Sequence, residues 1–241
     1  MKQFKKATSA LMESMATFFV AGCKPENDFN DGGGNKSCGN TYNCHAYVDF
    51  GLPSGTLWAT CNVGANAPWE YGDYFAWGET TPKTTYNWSN YKYCKGVSDQ
   101  LTKYCNDLYS GYNGFTDNLT VLQSMDDAAT ANWGNGWRMP TRKQWDELYN
   151  WTTVQKAMQN GHSGLLFTGS NGEALFLPAA GDRWGDELRK VGSYGYYWSS
   201  SLYAIVPNGA WSFGFGSVDC IGCNGRCGGL SVRAVRSSGQ D

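Results

Sequence analysis

The stretch from Tyr196 to Arg236, YYWSSSLYAIVPNGAWSFGFGSVDCIGCNGRCGGLSVRAVR, decides how the rest of the chain is read. Its ends, Trp198-Ser199-Ser200-Ser201 and Ser231-Val232-Arg233-Ala234-Val235-Arg236, alternate β-branched or aromatic residues with small polar ones, which is the period of a strand. Between them the character changes. From Ser199 to Val232 there is no Lys, Glu, Gln or Met, although all four types recur through the rest of the chain. Trp211 apart, every residue type in that interval has a codon ending in C. Around Trp211 the chain alternates Trp211, Phe213 and Phe215 with Ser212, Gly214 and Gly216, which puts large rings on one strand face and small residues on the other. The predicted arrangement has the rings anchoring a core and the small face meeting a ligand. The plain alternative is a glycine-rich strand and turn region of accidental composition.

Working outward, Trp137-Arg138-Met139-Pro140-Thr141-Arg142-Lys143-Gln144-Trp145-Asp146-Glu147-Leu148 is the best-defined local signal. Thr141 with Gln144 three residues later is a capping box, and Trp145, Leu148 and Tyr149 fall at i, i+3 and i+4 on an inward face. A shorter helix is predicted over Asp126–Trp133, with Asp126 and Asp127 at its positive end and Gly134-Asn135-Gly136 stopping it. Leu165–Thr168 and Ala174–Leu177 flank Ser170-Asn171-Gly172 as a hairpin, and the polar run from Asp182 to Lys190 reads as a loop. Tyr47 to Gly64 reads as two strands around Pro53-Ser54-Gly55. Thr84 to Tyr112 is a Tyr-rich insertion of loops. There Cys94 and Cys105 either form a disulfide, worth roughly 2–3 kcal/mol on the loop-entropy estimate, or stay as thiols.

At the start of the chain, Lys2, Lys5 and Lys6, an apolar run from Leu11 and Val20-Ala21-Gly22-Cys23 read as a lipoprotein export signal over residues 1–22. Cleavage before Cys23 and its acylation would tether the protein to a membrane without a spanning helix; the plain alternative is an N-terminal helix beside an ordinary cysteine. Residues 23–44, rich in Asn, Asp and Gly, are predicted as a flexible tether, and 45–241 as a single domain.

Composition narrows the chemistry. A net charge of -2 with no Lys or Arg cluster argues against a nucleic-acid surface. Eleven tryptophans and fifteen tyrosines suggest short strands and long ordered loops, in which each ring buries much area. His45 and His162 stand in unrelated contexts without metal-ligand spacing, and no nucleophile elbow, phosphate loop or dinucleotide fingerprint occurs. Cys220-x-x-Cys223-x-x-x-Cys227 offers three sulfurs without a matching fourth ligand. A metal site, a disulfide or unpaired thiols all remain open there. No cofactor and no metal are expected. Setting Cys23 aside leaves an even number of cysteines, including Cys38, Cys44 and Cys61, with no pairing deducible.

Three further segments stand in the same order as motifs of a known family: Tyr47 to Gly64 already quoted, Tyr71-Gly72-Asp73-Tyr74-Phe75-Ala76-Trp77-Gly78-Glu79-Thr80, and Leu177-Pro178-Ala179-Ala180-Gly181. With the codon-limited stretch, they resemble the variable proteins of diversity-generating retroelements, among them gut-bacterial (Bacteroidetes) lipoproteins with a Fibrobacter succinogenes major paralogous-type domain. Trp137 to Thr141 is similar to the Arg-Leu-Pro-Thr helix start of formylglycine-generating enzymes and their branch of C-type lectin-fold proteins, with Met139 in the Leu place. The resemblance covers nearly all of the domain. It implies an α+β, C-type lectin-like fold in which short helices buttress small antiparallel sheets joined by long ordered loops.

The same resemblance implies a mechanism of variation. A reverse transcriptase copies a template with errors at adenines, so AAC codons become any codon ending in C, and Trp211 is a fixed scaffold position. The ligand-binding region is then 199–232, with Tyr203, Ile205, Val206, Asn208, Gly209, Ser212, Gly214, Gly216, Asp219, Cys220, Ile221, Gly222, Cys223, Asn224, Cys227 and Gly228 as its variable surface. A non-catalytic, surface-exposed outer-membrane lipoprotein follows, with a protein or glycan ligand, a membrane anchor and no nucleic acid. The calcium-site motifs of sugar-binding C-type lectins, Glu-Pro-Asn or Gln-Pro-Asp with Trp-Asn-Asp, do not occur, so calcium-dependent sugar binding is not implied. Two alternatives stand beside this reading: an undiversified adhesin or glycan-binding lipoprotein, and a formylglycine-generating-type oxidase using Cys220, Cys223 or Cys227.

Overall fold

Strand Gly195–Leu202 runs between two hydrophobic cores and contributes to both. Its Tyr197 is buried with Trp58, Trp145, Phe167, Phe213 and Phe215, while the next residue, Trp198, points to the other side among Trp77, Trp137, Tyr74 and Leu230. Alternating large rings on both faces is what a strand needs when neither face meets water. Three of the indole N–H groups find carbonyls: Trp198 donates to Phe75 at 2.7 Å, Trp77 to Ser199 at 2.8 Å and Trp145 to Trp198 at 3.2 Å.

The computed structural model describes residues 40–239. The predicted export signal, Cys23 and most of the predicted tether lie outside the described residues. Strands β1 (Thr41–Tyr42), β2 (His45–Asp49), β3 (Thr56–Asn62) and β4 (Tyr74–Phe75) come first, followed by helices α1 (Ala128–Trp133) and α2 (Arg142–Trp151). Then come β5 (Thr153–Gln159), β6 (His162–Thr168), β7 (Ala174–Pro178), β8 (Asp182–Trp184), β9 (Glu187–Arg189), β10 (Gly195–Leu202), β11 (Gly209–Phe215), β12 (Cys220–Gly225), β13 (Leu230–Ser231) and β14 (Arg233–Ser237). The strands form sheets in the orders β1-β2-β3-β14, β12-β11-β10-β13-β4, β5-β6-β7 and β8-β9. This is a small mixed α and β architecture, dominated by strands.

The two ends of the domain close on each other, with Val235 of β14 opposite Trp58 of β3. Arg233 fastens this closure: its fully buried guanidinium donates to Asn62 at 2.9 Å and to the carbonyls of Ala59, Thr60 and Phe176. Burial lowers its pKa to about 10, so it keeps its charge at neutral pH.

The capping box is formed as predicted. Thr141 accepts from the Gln144 amide and Gln144 returns the bond, and Trp145 and Leu148 are buried whereas Tyr149 is partly exposed. The predicted hairpin is β6–β7, with Thr168 opposite Ala174. Other expectations need correction. The Asp126 helix begins later, at Ala128, because Asp127 alone caps it, accepting from Thr130 at 3.0 Å. Asp126 instead ends a separate turn, Ser124–Asp126, and is buried against the hydroxyls of Tyr93 and Tyr104 and the ammonium of Lys103. It therefore binds the insertion to the core.

The run Asp182–Lys190 is not a loop but the two-stranded hairpin β8–β9, and β5 is a further strand turned back by Asn160-Gly161. Thr41–Tyr42, within the expected tether, pairs with His45–Ala46. Cys94 and Cys105 are thiols, so the insertion has no disulfide between them; Cys61 is disulfide-bonded. Asp117 holds the Cys105 end of the insertion by accepting from the Tyr104 and Cys105 amides.

Candidate functional site

The codon-limited stretch folds as β10, a turn at residues 203–208, β11, a turn at 216–219, β12 and the turn that leads to β13. One residue inside it holds these pieces together. Arg226 is fully buried, yet among the described residues no carboxylate pairs with it. Its guanidinium donates to the Tyr91 hydroxyl at 2.9 Å and to the carbonyls of Tyr104 at 3.0 Å, Pro207 at 2.9 Å and Lys103 at 2.9 Å. The rings of Trp77, Tyr91 and Tyr104 surround it at 4.9, 5.3 and 5.9 Å. Five donors in a rigid fork suit such a ring of neutral acceptors, and the aromatic faces offset the cost of the buried charge. Through Arg226 the insertion, the 203–208 turn and the end of β12 become one rigid body.

Around this anchor the structure sorts the sixteen sequence-predicted residues by exposure. Ile205, Val206, Cys220 and Cys223 are exposed; Tyr203, Asn208, Gly216, Asp219, Ile221, Gly222 and Asn224 are half-buried; Gly209, Ser212, Gly214, Cys227 and Gly228 are buried. The idea that the small face of β11 meets ligand does not hold. Ser212 is covered by Asn224, which donates to it at 2.8 Å, and the Tyr196 ring lies over Gly214, 3.3 Å from where a Cβ would stand. On the ring face, Phe213 and Phe215 are core residues, but Trp211 lies beyond the core's edge and is only half-buried. There the Arg142 guanidinium sits 4.3 Å from the Trp211 ring centre, and Tyr203 meets the ring edge-on at 4.8 Å.

The accessible surface therefore lies on the flanks of the sheet: the 203–208 turn on one side, and the 216–219 turn with strand β12 on the other. Trp211 bridges them, opposite Cys223 in register. A cavity of about 300 Å³ opens beside β12, lined by Arg142, Asp146, Tyr149, Phe213, Asp219 and Ile221, among others. Arg142 pairs with Asp146 at 3.5 Å, and among the described residues Asp219 has no ion pair.

Sequence reasoning missed the α2 contribution, because all three residues lie far from β12 in the chain: Arg142 and Asp146 look like an ordinary solvated helix face, and Tyr149 reads as part of the inward one, although the structure leaves it exposed. It missed the insertion as well. Asn106 donates to the Ala204 carbonyl at 3.0 Å, which places the exposed Leu108 and Tyr109 on the segment next to the turn.

The three cysteines are not arranged as one reactive cluster. Cys220 and Cys223, an odd number of residues apart on one strand, face opposite sides of the sheet. Cys227 is buried in the aromatic core, and burial pushes its thiol pKa up to about 12, so it is not a thiolate at neutral pH. Among the described residues no group of three or more His, Cys, Asp or Glu side chains is placed to hold a metal ion. What the arrangement offers is recognition: a Trp, two Tyr and an Arg on a rigid frame, the side-chain types that dominate binding hot spots. No known family profile, curated protein or solved structure matches the chain.

Proposed function

We propose that this chain is a non-catalytic binding protein with a C-type lectin-like fold, displayed on the cell surface through a lipid on Cys23, whose ligand face is diversified by a retroelement. One observation carries the reading. Within the codon-limited stretch, residues that hold the fold (Phe213, Phe215 and Arg226) are buried, and the exposed and half-buried candidates gather on two flanks of the sheet. That separation is what a scaffold needs if side chains are to change while the backbone stays put. The pairing of β3 with β14, which brings the domain's ends together, and the packing of α2 on a largely antiparallel sheet support the fold assignment.

Deep sequencing of the gene's 3′ end across a population of the source bacterium, with its neighbouring DNA, tests the reading. Variation should concentrate in the codons of exposed and half-buried positions between 203 and 224, at adenines of a nearby template copy beside a reverse transcriptase gene. An invariant sequence with no template nearby would overturn the diversification and leave a fixed surface binder.

A further inference from the structure

Strand β12 is the outer strand of the five-stranded sheet, and among the described residues nothing guards its edge. Sheets usually protect an edge with a charge, a proline, a bulge or brevity. Elsewhere in this molecule they do: β1 and β4 are two residues long, β5 carries Lys156, and β14 is covered where its Val235 exchanges backbone bonds with Arg138. The sequence of β12, Cys-Ile-Gly-Cys-Asn-Gly, has neither charge nor proline, and it runs through six successive pairs with β11 without a register shift.

Its free backbone groups can be assigned. Gly209 donates to Val206 and accepts from Tyr203, so its backbone is turned away from β12 and its pair with Gly225 is not hydrogen-bonded. Alternation then directs Cys220, Gly222 and Asn224 toward β11, and leaves the N–H and C=O groups of Ile221 and Cys223 pointing outward. Immediately beside these groups lies the cavity walled by α2. Its floor of Phe213, Ile221 and Tyr149 is apolar, and its rim carries Arg142, Asp146 and Asp219, one positive charge against two negative ones.

We infer that β12 receives an extended segment of a partner protein as an added strand, and that a lysine or arginine of that segment enters the α2 cavity. This deepens the binding reading above and rests on it. The aliphatic stem of such a side chain would cover the apolar floor while its charged head meets Asp219, which has no ion pair among the described residues. A second copy of this chain fits less well, because residues 220–225 carry no basic side chain to bring to that cavity. Backbone pairing supplies affinity independent of the ligand's sequence, and the side chains around it supply selectivity. A diversified face built on such an edge starts every variant with some affinity for extended chain.

A displayed library of random linear peptides, selected on the folded protein, tests this. Enriched peptides should carry a Lys or Arg, and should weaken by at least about tenfold against Cys223→Pro, which removes one outward N–H. N-methylation of alternate peptide residues should weaken them similarly, and this arm decides the matter if Cys223→Pro fails to fold by near-ultraviolet circular dichroism. Asp219→Asn should abolish the preference for a basic residue. Peptides that bind Cys223→Pro and tolerate N-methylation, but lose affinity on Tyr203→Ala, would overturn strand addition and leave the binding function standing. A selection that enriches nothing overturns strand addition too, while the sequencing of the gene locus decides the broader reading independently.

Discussion

Trp211 and Phe213 occupy the same face of one strand, yet the structure gives them different weights. Phe213 is enclosed by Trp145, Tyr149, Phe167 and Phe215, with the Trp145 ring stacked on it at 5.1 Å. Its replacement by alanine is expected to cost about 4 kcal/mol in urea unfolding. Trp211 loses less, about 1–2 kcal/mol, since it is only partly buried and its partners are Arg142 and Tyr203. Equal losses at the two positions would show that Trp211 belongs to the core after all.

Asp126 gives a pH signature. Burial pushes its carboxyl pKa up, but the hydrogen bonds from Lys103, Tyr93 and Tyr104 outweigh this and hold it below the ordinary value. A depressed carboxylate contributes stability that is present above the unfolded pKa of about 3.9 and lost as pH falls through the folded one. Asp127 next to it is shifted the other way by burial, so its contribution has the opposite sign. Melting temperatures followed into acid should therefore fall more gently for Asp126→Asn than for the parent. An unchanged acid limb would mean that Asp126 is not the group being titrated.

At the level of elements, three glycines of the stretch have different tolerances. A Cβ on Gly222 would find only the Cys220 sulfur, at 3.9 Å, whereas one on Gly216 would fall 2.1 Å from the Tyr194 ring. Tyr194 is stacked on Tyr196, with the Lys190 ammonium over both rings, so it is not free to step aside. Gly222→Ser is expected to stay within about 0.5 kcal/mol of the parent, and Gly216→Ser to lose about 2 kcal/mol or more. Parity between the two in chemical denaturation would contradict this placement. Gly214 lies between these extremes, its neighbour being the Tyr196 ring.

This is also where the sequence stops being legible. Helix α2 and the β6–β7 hairpin could be read because a capping box, a helical period and an Asn-Gly turn are local signals. Strand β5, Thr-Val-Gln-Lys-Ala-Met-Gln, lies largely in solvent and shows no apolar alternation. The β11 face was misread because small side chains suggest an open surface. Here they are small because Tyr196 and Asn224 lie over them, and that is tertiary information. The α2 wall of the cavity was invisible for the same reason.

At the scale of the whole molecule, β10 makes the two cores a single cooperative unit, since no rearrangement can release Tyr197 without also disturbing Trp198. Equilibrium unfolding followed by tryptophan fluorescence and by far-ultraviolet circular dichroism is expected to give coincident transitions. Two separated midpoints would show that the cores melt independently. The buried guanidinium at Arg226 also reaches beyond the protein, into the spelling of its gene. If the stretch is copied with errors at adenines, a position that must stay arginine cannot carry one where a change alters the amino acid. Tryptophan's TGG is immune by its nature, but arginine has a choice: the four CGN codons keep arginine whatever happens to an adenine in them, while AGA and AGG do not. The geometry around Arg226 thus predicts a CGN arginine codon, rather than AGA or AGG, at that position, a trace of protein packing written in synonymous DNA.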